Sequence, residues 1–256
     1  MAITFYKYQG TGNDFVLIDN RDLHFNKNNT ELVQQLCDRK FGIGADGLIL
    51  LENDKTSQFK MVYYNADGNE SSMCGNGGRC IVHFARFLGI IEDMATFMAI
   101  DGLHEALLED DVVSLKMTDV GEIVQKEDSL FLNTGSPHHV TLVHGLSDYA
   151  VFSEGKRIRN DIYGAEGSNV NFVEAVAANA FAVRTYERGV ENETLSCGTG
   201  VTAVAIAMNA LGKANENVRI ETPGGTLEVS FNKQNGHYEN IWLKGPAKQV
   251  FKGTWE

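Results

Sequence analysis

Two stretches decide how this chain is read. The first is Asn65-Ala-Asp-Gly-Asn-Glu-Ser-Ser-Met-Cys74-Gly-Asn-Gly-Gly78, and the second is Glu187-Arg-Gly-Val-Glu-Asn-Glu-Thr-Leu-Ser-Cys197-Gly-Thr-Gly200. Each leaves a strand pattern, crosses an acidic glycine-containing turn, and enters an apolar helix pattern through Cys-Gly-x-Gly. The cysteines lie about half the chain length apart, so the pair reads as a duplicated unit with a boundary near Thr118–Gly121. Residues 1–118 would form an N-terminal lobe carrying Cys74, and residues 119–256 a C-terminal lobe carrying Cys197, with the chain ends free to cross between them. Two copies give two lobes rather than a solenoid, which needs more repeats.

Outward from these stretches, short apolar segments alternate with Gly-, Asn- and Asp-rich punctuation. Strand patterns fall at 5–8, 15–19, 48–51, 60–64, 106–109, 112–117, 139–143, 181–185, 218–221, 227–231 and 237–243. Helical periodicity is found at 31–39, 77–88 and 200–211, and the last two end at Gly89 and Gly212, where a C-terminal cap wants glycine. Many strands around few helices predict an α+β fold rather than a βαβ array.

The bulk properties exclude several classes. The 256 residues are 43% hydrophobic, enough for real cores. The net charge of −12 argues against nucleic acid, which needs clustered Lys and Arg. The opening MAITFYKYQG lacks the pattern of a secretory leader. The longest near-apolar run, Val201–Met208, is far short of the roughly 20 residues of a membrane span. The four cysteines show neither a disulfide framework nor zinc spacing. A cytoplasmic protein with reduced thiols, no metal and no membrane partner is expected. Cys37 and Cys80 fall on apolar helix faces and read as core.

The repeated motif carries chemistry. Glycine after each cysteine lets backbone approach a ligand without a Cβ in the way. The helix that follows begins with unpaired N–H groups and partial positive charge. Such a start binds a carboxylate and lowers the pKa of a cysteine seated on it. Two such thiols suit inversion of a Cα centre, because one base tends to return its proton to the face it came from. A thiolate on one face and a thiol on the other can remove and deliver a proton, then exchange roles. No Schiff-base lysine motif is evident, so no pyridoxal cofactor is expected.

The motifs Gly12-Asn13-Asp14-Phe15, Gly42-Ile-Gly-Ala-Asp46, Asn65-Ala-Asp-Gly68, Cys74-Gly-Asn-Gly77, Pro137-His138, Tyr186-Glu-Arg-Gly189 and Cys197-Gly-Thr-Gly200 closely resemble the diaminopimelate epimerase family, in family order across both halves. The resemblance implies two similar lobes related by pseudo-twofold symmetry, each a mostly antiparallel β-sheet wrapped around a central α-helix. It implies cofactor-free interconversion of LL- and meso-2,6-diaminopimelate, in lysine and peptidoglycan precursor biosynthesis, by a homodimer. Cys74 and Cys197 would be the acid–base pair, tuned by His138 and Glu187. Gly75, Asn76, Gly198 and Thr199 would hold the reacting carboxylate. Asn13, Asn65, Ser136, Asn169, Glu187 and Arg188 would hold the rest of the substrate, Arg188 matching a carboxylate with its fork and Glu187 an ammonium.

Two departures bear on the distal end of the substrate. Some family members carry Gln where this chain has Gly47, and Asn where it has Ser136; the loop Val190–Glu193 is also one residue longer than in some relatives. A proline racemase or hydroxyproline epimerase of the same fold is the alternative, one that would not need the Glu187–Arg188 pair. A thiol redox protein and a non-catalytic binding module are the readings from other classes; the first lacks a CxxC motif.

Overall fold

Strands β2 (Asn13–Asp19) and β3 (Gly47–Glu52) are apolar without alternation, and that run is the first sign that both faces of their sheet are covered. The computed structural model describes residues 2–256. It divides into two compact units, one of residues 2–115 with Gly245–Glu256, the other Lys116–Lys244.

In the first unit, strands β1 (Ile3–Gly10), β2, β3, β4 (Phe59–Asn65), β6 (Met94–Ala99), β7 (Gly102–Glu109) and β8 (Val112–Lys116) lie side by side in that order, with β5 (Glu70–Ser71) on β4. The C-terminal strand β18 (Lys248–Trp255) pairs antiparallel with β1 on its free side. Two neighbouring pairs are parallel, β2–β3 and β4–β6. Parallel neighbours need a long crossover. The first is made by α1 (Thr30–Cys37) and the second by α2 (Gly75–Phe87). Helix α1 packs Val33, Leu36 and Cys37 onto Val16, Ile18, Leu48 and Leu50. The intervening Phe15, Leu17 and Ile49 face the other way, and Ile49 reaches Gly77 at the start of α2.

The second unit repeats this plan strand for strand. Its order is β9 (Ile123–Gln125), β10 (Leu130–Asn133), β11 (Pro137–Leu142), β12 (Asn169–Ala177), β13 (Ala180–Glu187), β15 (Asn217–Thr222), β16 (Gly225–Gln234) and β17 (His237–Pro246), with β14 (Asn192–Thr194) on β13. The parallel pairs are again the third with the fourth and the fifth with the sixth. Helices α3 (Val151–Asp161) and α4 (Gly198–Ala210) are the crossovers. The expected α+β architecture, a mostly antiparallel sheet around a central helix, is present in each unit. Helix α4 is apolar all round and buried from Gly198 to Met208 except at Thr199, as a central helix must be.

Both central helices end as the glycines predict. The N–H groups of Gly89 and Ile90 return to the carbonyls of Arg86 and Ala85, and those of Gly212 and Lys213 to Asn209 and Met208. Both begin two residues earlier than the apolar periodicity indicates, because the helix starts inside the Cys-Gly-x-Gly itself, with the cysteine as N-cap.

Helix α3 gives no periodic signal, since the middle of its inward stripe Val151–Gly155–Ile158 is a glycine. A Cβ on Gly155 would stand 2.3 Å from Tyr186 Cβ and 2.6 Å from its Cγ, so the missing side chain is what lets α3 lie on β13. Alanine would gain about 1 kcal/mol of helix propensity. Overpacking against atoms that cannot swing aside costs about 1–3 kcal/mol. Gly155→Ala should therefore lower the urea midpoint of unfolding; an unchanged or higher midpoint would refute this packing.

Candidate active site

In the first unit the site is built on the start of α2. Cys74 leaves the strand in extended backbone, and its Sγ accepts the Gly77 N–H at 3.2 Å. A Cβ on Gly77 would lie 3.1 Å from that sulfur, so the second glycine of the motif is what brings the N–H up to it. Asn76 is buried; its Nδ2 donates to Asn13 Oδ1 at 3.3 Å, and Asn13 Nδ2 donates to Asp46 at 2.5 Å. Asn13 is in turn the closing residue of the β1–β2 hairpin, opposite Gly10. Behind it stands the ion cluster of Lys7, Asp14 and Arg39. Burial pushes the Asp14 carboxyl up, but hydrogen bonds from Arg39 and Lys7 overcome this and hold it at about 2.

Arg79, which the motif reading passed over, is fully buried beneath this helix start. Its partners are neutral oxygens: Asn76 Oδ1 at 2.9 Å, Thr11 Oγ1 at 3.1 Å, the Gly75 carbonyl at 3.3 Å and the Pro246 carbonyl at 3.4 Å. Burial lowers its pKa to about 10, still charged at neutral pH. A buried cation held by neutral oxygens, with Cys80 and Cys74 in range of its charge, favours thiolate at Cys74. Only the fold brings residues 11 and 246 to it, so nothing local marks this arginine as internal.

Asn65 ends β4, half-buried and directly opposite Gly47. The glycine at 47 has a cause here: a Cβ would stand 2.5 Å from both Tyr63 Cε2 and the Tyr64 carbonyl oxygen, and 3.1 Å from the Tyr63 hydroxyl. Tyr63 fills the space that a longer residue at 47 would use.

In the second unit Cys197 caps α4, and its Sγ lies 3.4 Å from Thr199 Oγ1. The same hydroxyl is 2.9 Å from His138 Nε2. His138 is buried, one of the parallel partners of Asn169 in the β11–β12 register. Asn169 Oδ1 accepts the Arg188 N–H at 2.8 Å, and Arg188 Nη1 donates to the Glu166 carbonyl at 2.9 Å. Glu187 accepts from the Thr194 hydroxyl at 3.0 Å. Ser136 lies in the β10–β11 turn, whose Thr134 donates to the Thr199 carbonyl at 2.8 Å, so this turn covers the start of α4 beside Gly198. Asn13 and Asn76 thus gather with Cys74 at the start of α2, and His138, Asn169 and Thr199 with Cys197 at the start of α4, while Asn65 stands at the end of β4 and Glu187 and Arg188 at the end of β13. The other two cysteines, Cys37 and Cys80, are buried in the core of the first unit, and burial pushes their thiols up, Cys37 to about 12.

The model of the family described as "Diaminopimelate epimerase" matches residues 5–121 and 130–250. This chain belongs to the diaminopimelate epimerase family. A protein named diaminopimelate epimerase from Flavobacterium psychrophilum is 61% identical over 252 residues, covering 97% of this chain and 98% of that protein. One of the same name from Chlorobaculum tepidum is 44% identical over 259 residues, covering 96% and 98%. Among solved structures, a phenazine biosynthesis protein of the PhzF family from Bacillus anthracis superposes with a TM-score of 0.80 at 12% identity, covering 100% of this chain and 99% of that one. A probable proline racemase from Agrobacterium radiobacter K84, with bound carbonate, gives 0.70 at 15% identity, covering 99% and 93%. These distant likenesses speak for the fold alone. The racemase alternative therefore has only a shared architecture behind it, whereas membership of the diaminopimelate epimerase family rests on nearly the whole sequence.

Two buried histidines give the second unit a pH signature. Burial, with the Arg188 charge adding to it, drops His138 to about 3; burial, with Lys126 and Arg157, drops His139 to about 4. Both are lower folded than the ordinary value near 6.5, so the unfolded chain binds more protons below that pH and stability falls as pH falls. From pH 8 to pH 5 each should cost on the order of 2 kcal/mol. Urea unfolding at the two pH values should show this loss, and His139→Gln should remove about half of it. A flat profile would mean these rings are not held neutral.

Proposed function

We propose that this chain interconverts LL- and meso-2,6-diaminopimelate, with Cys74 and Cys197 as the two proton-transfer groups and no organic cofactor. The observation that carries the reading is the matched pair of cysteines, each the N-cap of a buried crossover helix, in a chain that belongs to the diaminopimelate epimerase family. The thiolate of one cysteine takes the Cα proton and becomes a thiol. The electron pair left on Cα spreads into the substrate carboxylate, and the other thiol gives its proton to the opposite face and becomes the thiolate. Protons and charge balance, and the reverse reaction swaps the roles.

The carbanion needs preorganised donors, and each helix start offers N–H groups of the kind required, at Gly75 and Asn76 in one case and Gly198 and Thr199 in the other. Arg188 is exposed and suits the distal carboxylate; Glu187 suits the distal ammonium. Asn13, Asn65, Ser136 and Asn169 complete the set of substrate contacts, and His138 and Glu187 adjust the thiols. The reading carries with it a cytoplasmic homodimer acting on a small amino acid, without nucleic acid or membrane. The charge of −12 supports the first exclusion, and among the described residues no helix is long and apolar enough to cross a membrane.

Incubation with LL-diaminopimelate in deuterated water should place deuterium at Cα, and the same assay with L-proline should not. Deuterium in proline alone would sink the assignment. Cys74→Ser and Cys197→Ser should each lower kcat by at least about 100-fold, as loss of a general acid–base group does. Near-normal turnover in either variant would remove that cysteine from the mechanism.

A further inference from the structure

Asn171, the third residue of β12, is fully buried and lies outside every motif of the sequence reading. Its Nδ2 donates to the His139 carbonyl at 2.9 Å and lies 3.1 Å from His138 Nδ1; its Oδ1 accepts from the Thr185 hydroxyl at 3.0 Å. A carbonyl only accepts, so the amide atom facing His139 O is the nitrogen, and its second hydrogen is the one facing the ring. His138 Nδ1 must then offer its lone pair. A neutral imidazole carries one N–H, which falls on Nε2, 2.9 Å from Thr199 Oγ1. With that oxygen accepting, the Thr199 hydroxyl hydrogen is left for Cys197 Sγ, 3.4 Å away.

We propose that Asn171 is a positioning residue that fixes the tautomer of His138, so that a chain of donors runs Asn171, His138, Thr199, Cys197 and ends on the sulfur. This rests on the reading above that Cys197 transfers a proton. The remaining neighbour of the ring is the one contact that pulls the other way, and it is the longest of the set. Asn169 Nδ2 lies 3.4 Å from His138 Nε2, but it is a donor facing a donor, and its own bond goes to the Pro137 carbonyl at 3.2 Å. The second glycine of Cys197-Gly-Thr-Gly also gains a purpose: a Cβ on Gly200 would stand 2.6 Å from Asn171 Oδ1 and 3.3 Å from His138 Cε1. Burial keeps the ring neutral, as described above, so the tautomer and not protonation decides which way the chain points.

The alternative tautomer reverses the last link. With the proton on Nδ1, Nε2 would take the Thr199 hydroxyl hydrogen, and Cys197 would face a lone pair. A donor directed at a thiolate stabilises it, so losing that donor raises the thiol pKa. For a rise of about one unit the thiolate fraction falls about tenfold, while each thiolate becomes about threefold more nucleophilic, a net slowing of roughly threefold.

The test uses the full chain with 15N-labelled histidine, His138 being assigned by its loss in His138→Gln. At pH 7.5 the ring should be neutral with its proton on Nε2. A carboxylate at 171 attracts N–H to Nδ1, so Asn171→Asp should move the proton there. The same variant should slow iodoacetamide labelling of Cys197 by roughly threefold while Cys74, resolved by peptide mass, labels as before. Thr199→Val should slow Cys197 labelling equally and leave the Nε2–H tautomer in place. An Nδ1–H or titrating His138 in the unmodified protein overturns the proposal, even where Asn171→Asp fails to fold; so does unchanged Cys197 labelling in a folded Asn171→Asp. Deuterium exchange into diaminopimelate, measured on the unmodified protein, reports separately on the function, and its absence would sink that reading while the tautomer is decided by the spectrum.

Discussion

Everything in this chain hangs on a topological constraint: two strands that lie parallel in one sheet cannot be joined by a tight turn. Each unit contains two such pairs, and each unit makes its second crossover with a buried helix. A helix buried from its first turn has four N–H groups that water cannot reach freely. At the head of α2 and of α4 the residue that must manage them is a cysteine. The requirement of the fold and the requirement of the chemistry coincide at one position, and the duplication supplies that position twice.

Legibility followed the same line. The cysteines and the closing glycines Gly89 and Gly212 could be read because a helix start and a helix end have local chemistry. The elements that could not be read are those whose residues answer to distant partners. Strand β12 was hidden by Asn169 and Asn171, which look like turn formers but are held inside by His138, His139 and Arg188. Helix α3 was hidden by Gly155, whose bareness is demanded by Tyr186 on another strand. Arg79 was passed over because two of its four partners, Thr11 and Pro246, lie far away in the sequence. Strand β18 was hidden because its side chains are largely exposed and its pairing partner lies at the other end of the chain. Local consistency failed mainly beside the functional residues, where a sequence is expected to depart from it.

The departure at Gly47 belongs to the same class. Read alone, a glycine where some relatives carry Gln removes a side chain from the neighbourhood of Asn65. In the folded chain Tyr63 occupies that space, with its hydroxyl 3.1 Å from where a Cβ at 47 would be. A Cβ at 47 would also stand 2.5 Å from the Tyr64 backbone carbonyl, so a side chain there needs both the Tyr63 ring and this stretch of β4 to shift. A change at 47 considered without 63 would therefore be misread as a loss of polar surface.

The two helix starts share a scaffold but differ in electrostatics. Five residues after each cysteine, a side chain returns to the carbonyl of the glycine that follows the cysteine: Arg79 to Gly75 at 3.3 Å, and Thr202 to Gly198 at 3.0 Å. In the first unit that residue brings a buried positive charge, whereas in the second it is neutral and the charge is replaced by a chain of dipoles through His138 and Thr199. On the proposed mechanism each thiol must serve as base in one direction and acid in the other, which requires similar proton affinities at the two sulfurs. A duplicated motif could have met that requirement by staying identical. Here a buried cation on one side and an oriented neutral imidazole on the other both favour thiolate, and matching their strengths is the constraint under which the two halves were free to diverge.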